Sequence, residues 1–215
     1  MKVAWIGKRA CLHCCKKAWR ESSIVFLILL IALFAASCWA AERPSAWAQA
    51  IALEGVPNLH QVSSDLYRSA QPSAPGMKNL KNMGIRTIVN LRSFHSDRDE
   101  IGKIDLDYER ISMKTWHIDR QEAVRFLRWA TDPHRTPVLV HCQHGSDRTG
   151  VLCALYRIAV QGWTKDEAIR EMTEGGFGFH RIWANLKQWI RKIDVAALKK
   201  DAGIKVDAQP GNEGK

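Results

Sequence analysis

The chain has 215 residues, 46% of them hydrophobic and 25% charged, a composition typical of one globular domain of ordinary size with an appendage. Its formal net charge at pH 7 is +10, and half of that excess lies in the first 23 residues, where six Lys or Arg residues accompany a single acidic residue, Glu21. Because the rest of the chain has no Lys/Arg run interleaved with aromatic residues, the composition argues against nucleic acid as a partner. The remaining positive charge suits an anionic ligand without requiring one.

Residues 22–41 form an uncharged stretch, SSIVFLILLIALFAASCWAA. A bilayer is crossed by about 20 apolar residues, so the stretch is long enough for a transmembrane anchor. Basic residues precede it and only Arg43 follows nearby, which predicts a cytoplasmic N-terminus and an extracytoplasmic domain. The alternative is a signal sequence that is cleaved after a small-x-small pattern near Ala48, or a lipidated Cys38. We therefore expect a membrane-anchored protein, or one secreted or lipidated after cleavage.

The six cysteines do not form the pattern of a disulfide-stabilised domain. Four of them precede residue 42, and only Cys142 and Cys153 fall in the predicted domain. Cys11 and Cys14 have a CxxC spacing, but no second pair accompanies them, so we expect no zinc site. The sequence predicts neither a metal nor a cofactor.

Short apolar runs alternate with helical patterns along the rest of the chain. In chain order, strands are predicted at 66–68, 86–91, 108–113 and 137–141, and helices at 75–83, from 119 to about 130, at 150–161, from 164, and at about 181–199. The predicted divisions are a basic segment at 1–21, the membrane segment at 22–41, a tether at 42–56, the domain at 57–200 and a polar tail at 201–215. This alternation predicts an α/β fold with a mainly parallel central sheet flanked by helices, in which a ligand site lies beyond the carboxyl ends of the strands.

Residues 141–150, HCQHGSDRTG, occupy such a place, between the strand that ends at His141 and the helix expected from about Thr149. A thiol attacks only as the thiolate, and three local features favour that form at Cys142. The following helix directs its N-terminal amides at the loop, successive loop amides can curl into an anion nest around Gly145, and Arg148 adds a permanent positive charge.

Five residues separate Cys142 from Arg148, enough for both to face one bound anion. The guanidinium fork of Arg148 can hold two phosphate oxygens, and the loop amides suit the equatorial oxygens of a phosphoryl group in transfer. Cys142 would attack phosphorus, and water would then cleave the thiophosphate ester. Thr149 can donate its hydroxyl to the departing thiolate, and His141 can fix the cysteine through backbone hydrogen bonds.

This segment resembles the HCxxGxxR(S/T)G signature of the protein tyrosine phosphatase superfamily, especially its compact dual-specificity members. The segments LYRSAQP (66–72) and MKNLKNMGIRTIVNLR (77–92) are similar to the atypical subgroup that includes plant and fungal inositol pyrophosphate phosphatases. The resemblance covers roughly residues 59–193. It implies that Cys142 is the nucleophile and Arg148 the phosphate-binding arginine, and that the histidine, glycine and hydroxyl positions of the signature are His141, Gly145 and Thr149.

The general acid is the open question. Family members carry an aspartate on a mobile loop after the third predicted strand, but this chain reads Lys-Thr-Trp-His-Ile-Asp at 114–119. Asp119 starts a capping box, which favours a helix cap over a proton donor. Asp147, inside the loop, resembles the aspartate of myotubularin-type lipid phosphatases, and its alternative role is a loop-bracing salt bridge. His117 is a further possible donor. We select Asp147.

The sequence thus predicts a metal-independent phosphatase that hydrolyses phosphate monoesters through a cysteinyl-phosphate. Its substrate is a phosphorylated protein or an inositol phosphate, and a phosphate-binding pseudophosphatase and a rhodanese-like sulfurtransferase are the rival interpretations. The candidate catalytic residues are Cys142, Arg148 and Asp147, and the candidate substrate-binding residues are Gln143, His144, Gly145, Ser146 and Thr149. The segment Glu174–His180, rich in glycine and aromatic residues, is interpreted as a tight turn between two helices.

Overall fold

The computed structural model describes residues 43–205. One six-stranded sheet runs through this part of the chain. Its strands are β1 (Gln49–Ala50), β2 (His60–Gln61), β3 (Leu66–Ser69), β4 (Thr87–Asn90), β5 (Asp107–Arg110) and β6 (Val138–His141), in the spatial order β1-β2-β3-β6-β4-β5. The predicted α/β fold is therefore confirmed.

The neighbouring strands β3, β6, β4 and β5 are parallel to one another, and β1, β2 and β3 pair in antiparallel fashion at the other edge. Every residue of β4 (TIVN) and β6 (VLVH) is buried, which is why both read as continuous apolar runs in the sequence. Ser69 at the end of β3 and Asn90 at the end of β4 both lie opposite His141 at the end of β6. Three parallel strands thus end side by side where the signature loop begins.

Seven helices are described: α1 (Ala74–Asn82), α2 (Arg98–Ile101), α3 (Arg120–Ala130), α4 (Asp147–Ala159), α5 (Lys165–Glu174), α6 (Ala184–Lys192) and α7 (Val195–Ala202). Successive strand residues point to opposite faces of a sheet. Val89 and Val140 belong to the core cluster with α3 to α7, whereas Ile88 and Leu139 belong to the cluster with α1 and α2. The sheet is therefore covered by helices on both faces.

Two helix boundaries differ from the prediction. The amphipathic pattern over 181–199 is two helices, since Ile193 ends α6 in an extended conformation and Asp194 caps α7, accepting a hydrogen bond from the Ala197 N–H at 3.0 Å. The helix expected to begin near Thr149 starts at Asp147. Asp147 and Arg148 therefore lie in its first turn.

One part of the predicted fold class, the N-terminal membrane segment, is wrong as a feature of this fold. None of the helices within residues 43–205 is both long enough and apolar enough to cross a bilayer. Even the buried α4 has 13 residues, against the roughly 20 that a transmembrane helix needs. The segment assigned to the membrane, 22–41, lies outside the described residues, and membrane association has no support. The extracytoplasmic location stays a prediction.

The segment assigned to a tether, 42–56, packs on the domain where it is described. Trp47 and Ala48 are buried, and β1 pairs with β2. The Ala48 N–H donates to Glu171 Oε1 at 2.7 Å. Glu171 also forms a buried ion pair with Arg157, at 2.6 Å, so the segment is attached to a charged pair inside the core. Of the predicted polar tail, residues 206–215 lie outside the described residues.

Candidate active site

The signature loop connects the end of β6 directly to α4. The first N–H groups of a helix have no partner within it and carry the positive end of the helix dipole. Because α4 begins at Asp147, these groups face the loop that starts with Cys142. The sequence therefore folds into a strand-loop-helix in which a cysteine lies before a helix N-terminus, an arrangement that favours anions.

Gly145 allows this loop to pack against the end of β3. Its φ is +71°, and a Cβ at this position would lie 2.5 Å from the carbonyl carbon and oxygen of Ser69 and 2.6 Å from the Ala70 nitrogen. The buried Arg68 holds the same turn from β3, because its Nη2 donates to the Gly145 carbonyl oxygen at 2.7 Å. The Arg68 guanidinium in turn stacks on the ring of Phe177, 3.6 Å from the centroid. Only glycine fits at residue 145 without moving β3.

The pKa of the Cys142 thiol is lowered from its ordinary value. Burial, which leaves the residue 3% exposed, would by itself raise that pKa. The hydroxyl of Thr149, the positive charge of Arg148 and the backbone N–H groups of Thr149 and His144 outweigh burial, because each stabilises the thiolate. The Thr149 hydroxyl has no oxygen or nitrogen partner among residues 43–205. The site thus favours a reactive thiolate.

Arg148 lies in the first turn of α4, partly exposed to the cleft. Its Nη1 donates to the Leu91 carbonyl oxygen at 3.2 Å, which anchors the guanidinium beside the end of β4. An arginine has five N–H donors. Most of those on Arg148 therefore remain for an anion bound in the loop.

His141 is fixed by a carboxylate that the sequence analysis missed. Its Nε2 lies 2.6 Å from Oδ2 of the fully buried Asp97, and its Nδ1 lies 3.3 Å from the Cys142 carbonyl oxygen. Asp97 also accepts hydrogen bonds from Gln71, at 2.9 Å, and from Asn90, at 3.0 Å. Burial alone would raise the pKa of Asp97, but the hydrogen bonds and charge of His141, with further contributions from Gln71, lower it. A buried carboxylate therefore orients the histidine of the signature.

Asp97 also belongs to the trio of metal-ligand side chains in the described part of the chain, with His95 and Glu100. Their donor atoms lie within 4.8 Å of one another. His95 Nε2, however, pairs with Glu100 at 3.1 Å, and Asp97 already accepts bonds from three side chains. These three side chains therefore already have protein atoms beside their donor groups.

The two candidate acids have different surroundings. Asp119 is exposed and completes a capping box at the start of α3, where it accepts a hydrogen bond from the Gln121 N–H at 2.9 Å, and it is not among the residues that line the cleft. Asp147 lines the cleft, and both of its oxygens accept hydrogen bonds from His180: the backbone N–H reaches Oδ1 at 2.9 Å and ring Nδ1 reaches Oδ2 at 2.8 Å. The geometry favours Asp147 over Asp119.

A cleft of about 510 Å³ opens above the loop. Among the candidate substrate-binding residues, Gln143 and His144 are exposed and line this cleft, whereas Gly145, Ser146 and Thr149 are buried beneath it. Ser146 braces the loop, since its hydroxyl donates to the Phe177 carbonyl oxygen at 2.8 Å. The polar part of the cleft comprises Arg92, Lys114, Gln143, His144, Asp147, Arg148 and His180 with two small hydroxyl residues, and its apolar part comprises Phe94, Met113, Trp116, Ile182 and Trp183.

Known proteins match this chain over most of the described region. A family model described as a DSP-PTPase phosphatase fused to NAD+ kinase matches residues 52–185. The dual specificity protein phosphatase TpbA of Pseudomonas aeruginosa strain PAO1 is 37% identical over 161 residues, which cover 74% of this chain and 72% of that relative. The inositol diphosphatase DSP5 of Arabidopsis thaliana is 25% identical over 159 residues, covering 66% and 72%.

Solved structures give the same result. The crystal structure of P. aeruginosa TpbA superposes with a TM-score of 0.67 at 35% sequence identity and covers 75% of this chain and 99% of that chain. The catalytic domain of the PP-IP phosphatase SIW14 from S. cerevisiae has a TM-score of 0.62 at 21% identity, covering 71% and 94%. At that identity the second match shows the fold alone.

Proposed function

The chain belongs to the compact, atypical dual-specificity phosphatases of the protein tyrosine phosphatase superfamily, and on that premise we propose that its substrates are phosphotyrosine residues of proteins. It is a cysteine-dependent phosphatase, a hydrolase of phosphoric monoesters. The choice of substrate, and the role given to each residue of the site, are our proposal.

In the proposed mechanism the phosphate lies in the loop between Cys142 and Arg148. The Cys142 thiolate attacks phosphorus in line with the ester oxygen, while Arg148 and the amides at the start of α4 hold the equatorial oxygens. The ester bond breaks and a phosphate remains on the sulfur. Water then attacks this intermediate, and the Thr149 hydroxyl stabilises the thiolate that departs. Asp147 assists the protonation of the first leaving group.

The apolar rim of the cleft is the main reason for proposing phosphotyrosine as the substrate. Within residues 43–205, the exposed large hydrophobic side chains are Phe94 (97%), Ile182 (79%), Trp116 (67%) and Val160 (38%), and all except Val160 line this cleft. Exposed apolar groups clustered in one place mark a binding surface. A phosphotyrosine ring, carrying one phosphate at its end, fits an anion site surrounded by apolar side chains.

An inositol polyphosphate would need a different lining, because it carries several phosphates and no apolar ring. The cleft has three cationic side chains, Arg92, Lys114 and Arg148, beside five apolar ones. The related TpbA has also been crystallised with phosphotyrosine, and that structure is 34% identical to this chain with a TM-score of 0.67. Both observations support a phosphotyrosine substrate.

A substrate panel tests the proposal. Phosphotyrosine peptides, phosphoserine peptides and an inositol pyrophosphate are compared by phosphate release, with Cys142→Ser as the control for the enzyme itself. We expect the phosphotyrosine peptide to have the highest kcat/KM. If Cys142→Ser retains the wild-type rate, the cysteine mechanism is wrong, and if the inositol pyrophosphate is preferred, the choice of substrate is wrong.

Two matched variants test the role of the rim. Trp116→Ala removes an aromatic side chain from the cleft, and we expect it to lower kcat/KM for the peptide by about tenfold, which corresponds to roughly 1.4 kcal/mol of apolar contact. Val160→Ala removes the exposed apolar side chain that lies outside the cleft and should leave the rate unchanged. Equal rates for the two variants would contradict the rim as a substrate surface.

A further inference from the structure

His180 forms a hydrogen bond with each carboxylate oxygen of Asp147. Its backbone N–H donates to Oδ1 at 2.9 Å and its ring Nδ1 lies 2.8 Å from Oδ2, so one residue occupies both oxygens. The Asp147 side chain is 12% exposed, whereas the His180 side chain is 51% exposed and lines the cleft. An ionised carboxylate has no O–H to donate, and both oxygens of Asp147 already accept hydrogen bonds from N–H groups of His180.

The imidazole of His180 has its second nitrogen available. Nδ1 is committed to Asp147, and Nε2 has no hydrogen-bond partner within residues 43–205. Because His180 lines the cleft, Nε2 is the nitrogen of this pair that can carry a proton to a substrate.

The loop that carries His180 is fastened to the signature loop. Gly176 and Gly178 turn the chain with φ of +80° and +83°, and between them the carbonyl oxygen of Phe177 accepts hydrogen bonds from Ser146 Oγ, at 2.8 Å, and Asn58 Nδ2, at 3.1 Å. The buried Phe177 ring packs under the guanidinium that holds Gly145. This segment thus does more than join α5 to α6, because it delivers His180 to the cleft.

We infer that His180 donates the proton to the leaving group and that Asp147 is the positioning residue that orients it. The inference rests on the proposed function. As Cys142 attacks, the phosphorus–oxygen ester bond breaks, its electron pair stays on the departing oxygen, and that oxygen takes the proton from Nε2 of the imidazolium. The resulting neutral Nε2 accepts a proton from the water that attacks the cysteinyl-phosphate, which restores the imidazolium. The other titratable or charged groups that line the cleft are His144, whose ring centroid is 5.9 Å from that of His180, and Arg92, Lys114 and Arg148.

The dependence of rate on the leaving group separates His180 from Asp147 as the donor. His180→Asn places an amide where Nδ1 lies, so the hydrogen bond to Asp147 can persist while the dissociable proton is lost. We measure kcat/KM for 4-nitrophenyl phosphate, whose leaving group needs little protonation, and for phenyl phosphate, whose leaving group needs more. His134→Asn, an exposed histidine before β6 at the opposite end of the sheet, is the matched control.

We expect His180→Asn to lower kcat/KM for phenyl phosphate by about 100-fold, which is the lower end of the usual contribution of a general acid. The same variant should lower kcat/KM for 4-nitrophenyl phosphate by only a few fold. His180→Gln, which loses the Nδ1 contact as well, should show the same selective loss, and melting temperatures report whether each variant folds. If the ratio of the two rates in His180→Asn stays near that of the wild type while Asp147→Asn loses phenyl phosphate selectively, the inference is overturned and Asp147 is the donor. A wild type that does not turn over even 4-nitrophenyl phosphate would instead contradict the proposed function.

Discussion

Replacing Gly145 by alanine tests whether the signature loop is pinned against the end of β3. The added Cβ would lie 2.5 Å from the carbonyl carbon and oxygen of Ser69, which are backbone atoms of a central strand and cannot rotate away. To reach even 3.0 Å, the loop or the strand must shift by about 0.5 Å. Because Ser69 pairs with His141, either movement displaces Cys142.

Gly162 separates steric contact from backbone strain. Its φ is +73°, close to the +71° of Gly145, but a Cβ there would meet nothing within 4 Å. Both alanine variants therefore carry the left-handed backbone cost of about 1–2 kcal/mol. Gly145→Ala adds overpacking, about 1–3 kcal/mol. We expect it to lower the free energy of unfolding by about 2 kcal/mol more than Gly162→Ala does.

The two variants are compared by urea unfolding and by kcat/KM with 4-nitrophenyl phosphate. A displacement of about 1 Å in a catalytic group costs about 100-fold in rate, so the shift of about 0.5 Å in Gly145→Ala should cost about tenfold, while Gly162→Ala keeps the wild-type rate. If both variants are equally destabilised and equally active, the loop is not pinned at Gly145 and the reasoning is refuted.

Three further predictions concern buried charges. The pKa of Cys142 lies below the ordinary 9.0, so its thiolate persists to lower pH. The rate at which iodoacetamide alkylates Cys142 should therefore titrate with a midpoint below pH 9, and Thr149→Val should raise that midpoint. The pKa of Asp97 is depressed below 3.8, so its carboxylate stabilises the fold above that pH and loses this effect as the pH falls; Asp97→Asn should lower the free energy of unfolding at neutral pH and flatten its decline in acid. Glu171→Gln leaves the guanidinium of Arg157 without its buried charge partner and should cost about 3–5 kcal/mol.

Each of these has a control. Cys153 is buried with its pKa raised to about 11, so it should not react in the same titration. If Thr149→Val leaves the midpoint for Cys142 unchanged, the Thr149 hydroxyl does not lower the pKa of that thiol. Asp97→Glu retains the charge and is the control for the loss of that charge. If the free energy of unfolding declines in acid as steeply in Asp97→Asn as in the wild type, groups other than Asp97 cause the decline. Replacing the ion pair as a whole, with Arg157→Met and Glu171→Leu together, should cost far less than Glu171→Gln alone.

Local signals account for the part of the fold that was predicted correctly. The apolar runs of β4 and β6 predict buried strands by themselves, and the capping boxes at Asp119 and Thr164 are complete in the structure. The missed break in 181–199 is also local, because Asp194 is a good N-cap residue, but the amphipathic period continues across it and hides the boundary.

The residues that position the site were harder to predict, because they are distant in the sequence. Asp97 is 44 residues from His141, and His180 is 33 residues from Asp147. Both pairings depend on the order of the strands and on where each connecting loop lies, which no spacing along one segment encodes. Arg68 belongs to the segment LYRSAQP (66–72), but its contact with Gly145 follows only from the pairing of β3 with β6.

A covalent phosphate on Cys142 is the most direct test of the account. The enzyme is mixed with 4-nitrophenyl phosphate, quenched in acid during turnover, and digested for mass spectrometry under conditions that preserve thiophosphate esters. We predict one phosphoryl group on the peptide that contains Cys142, and none on the same peptide from Cys142→Ser. Turnover without this adduct, or a phosphoryl group found on His144 in its place, would contradict the cysteinyl-phosphate mechanism.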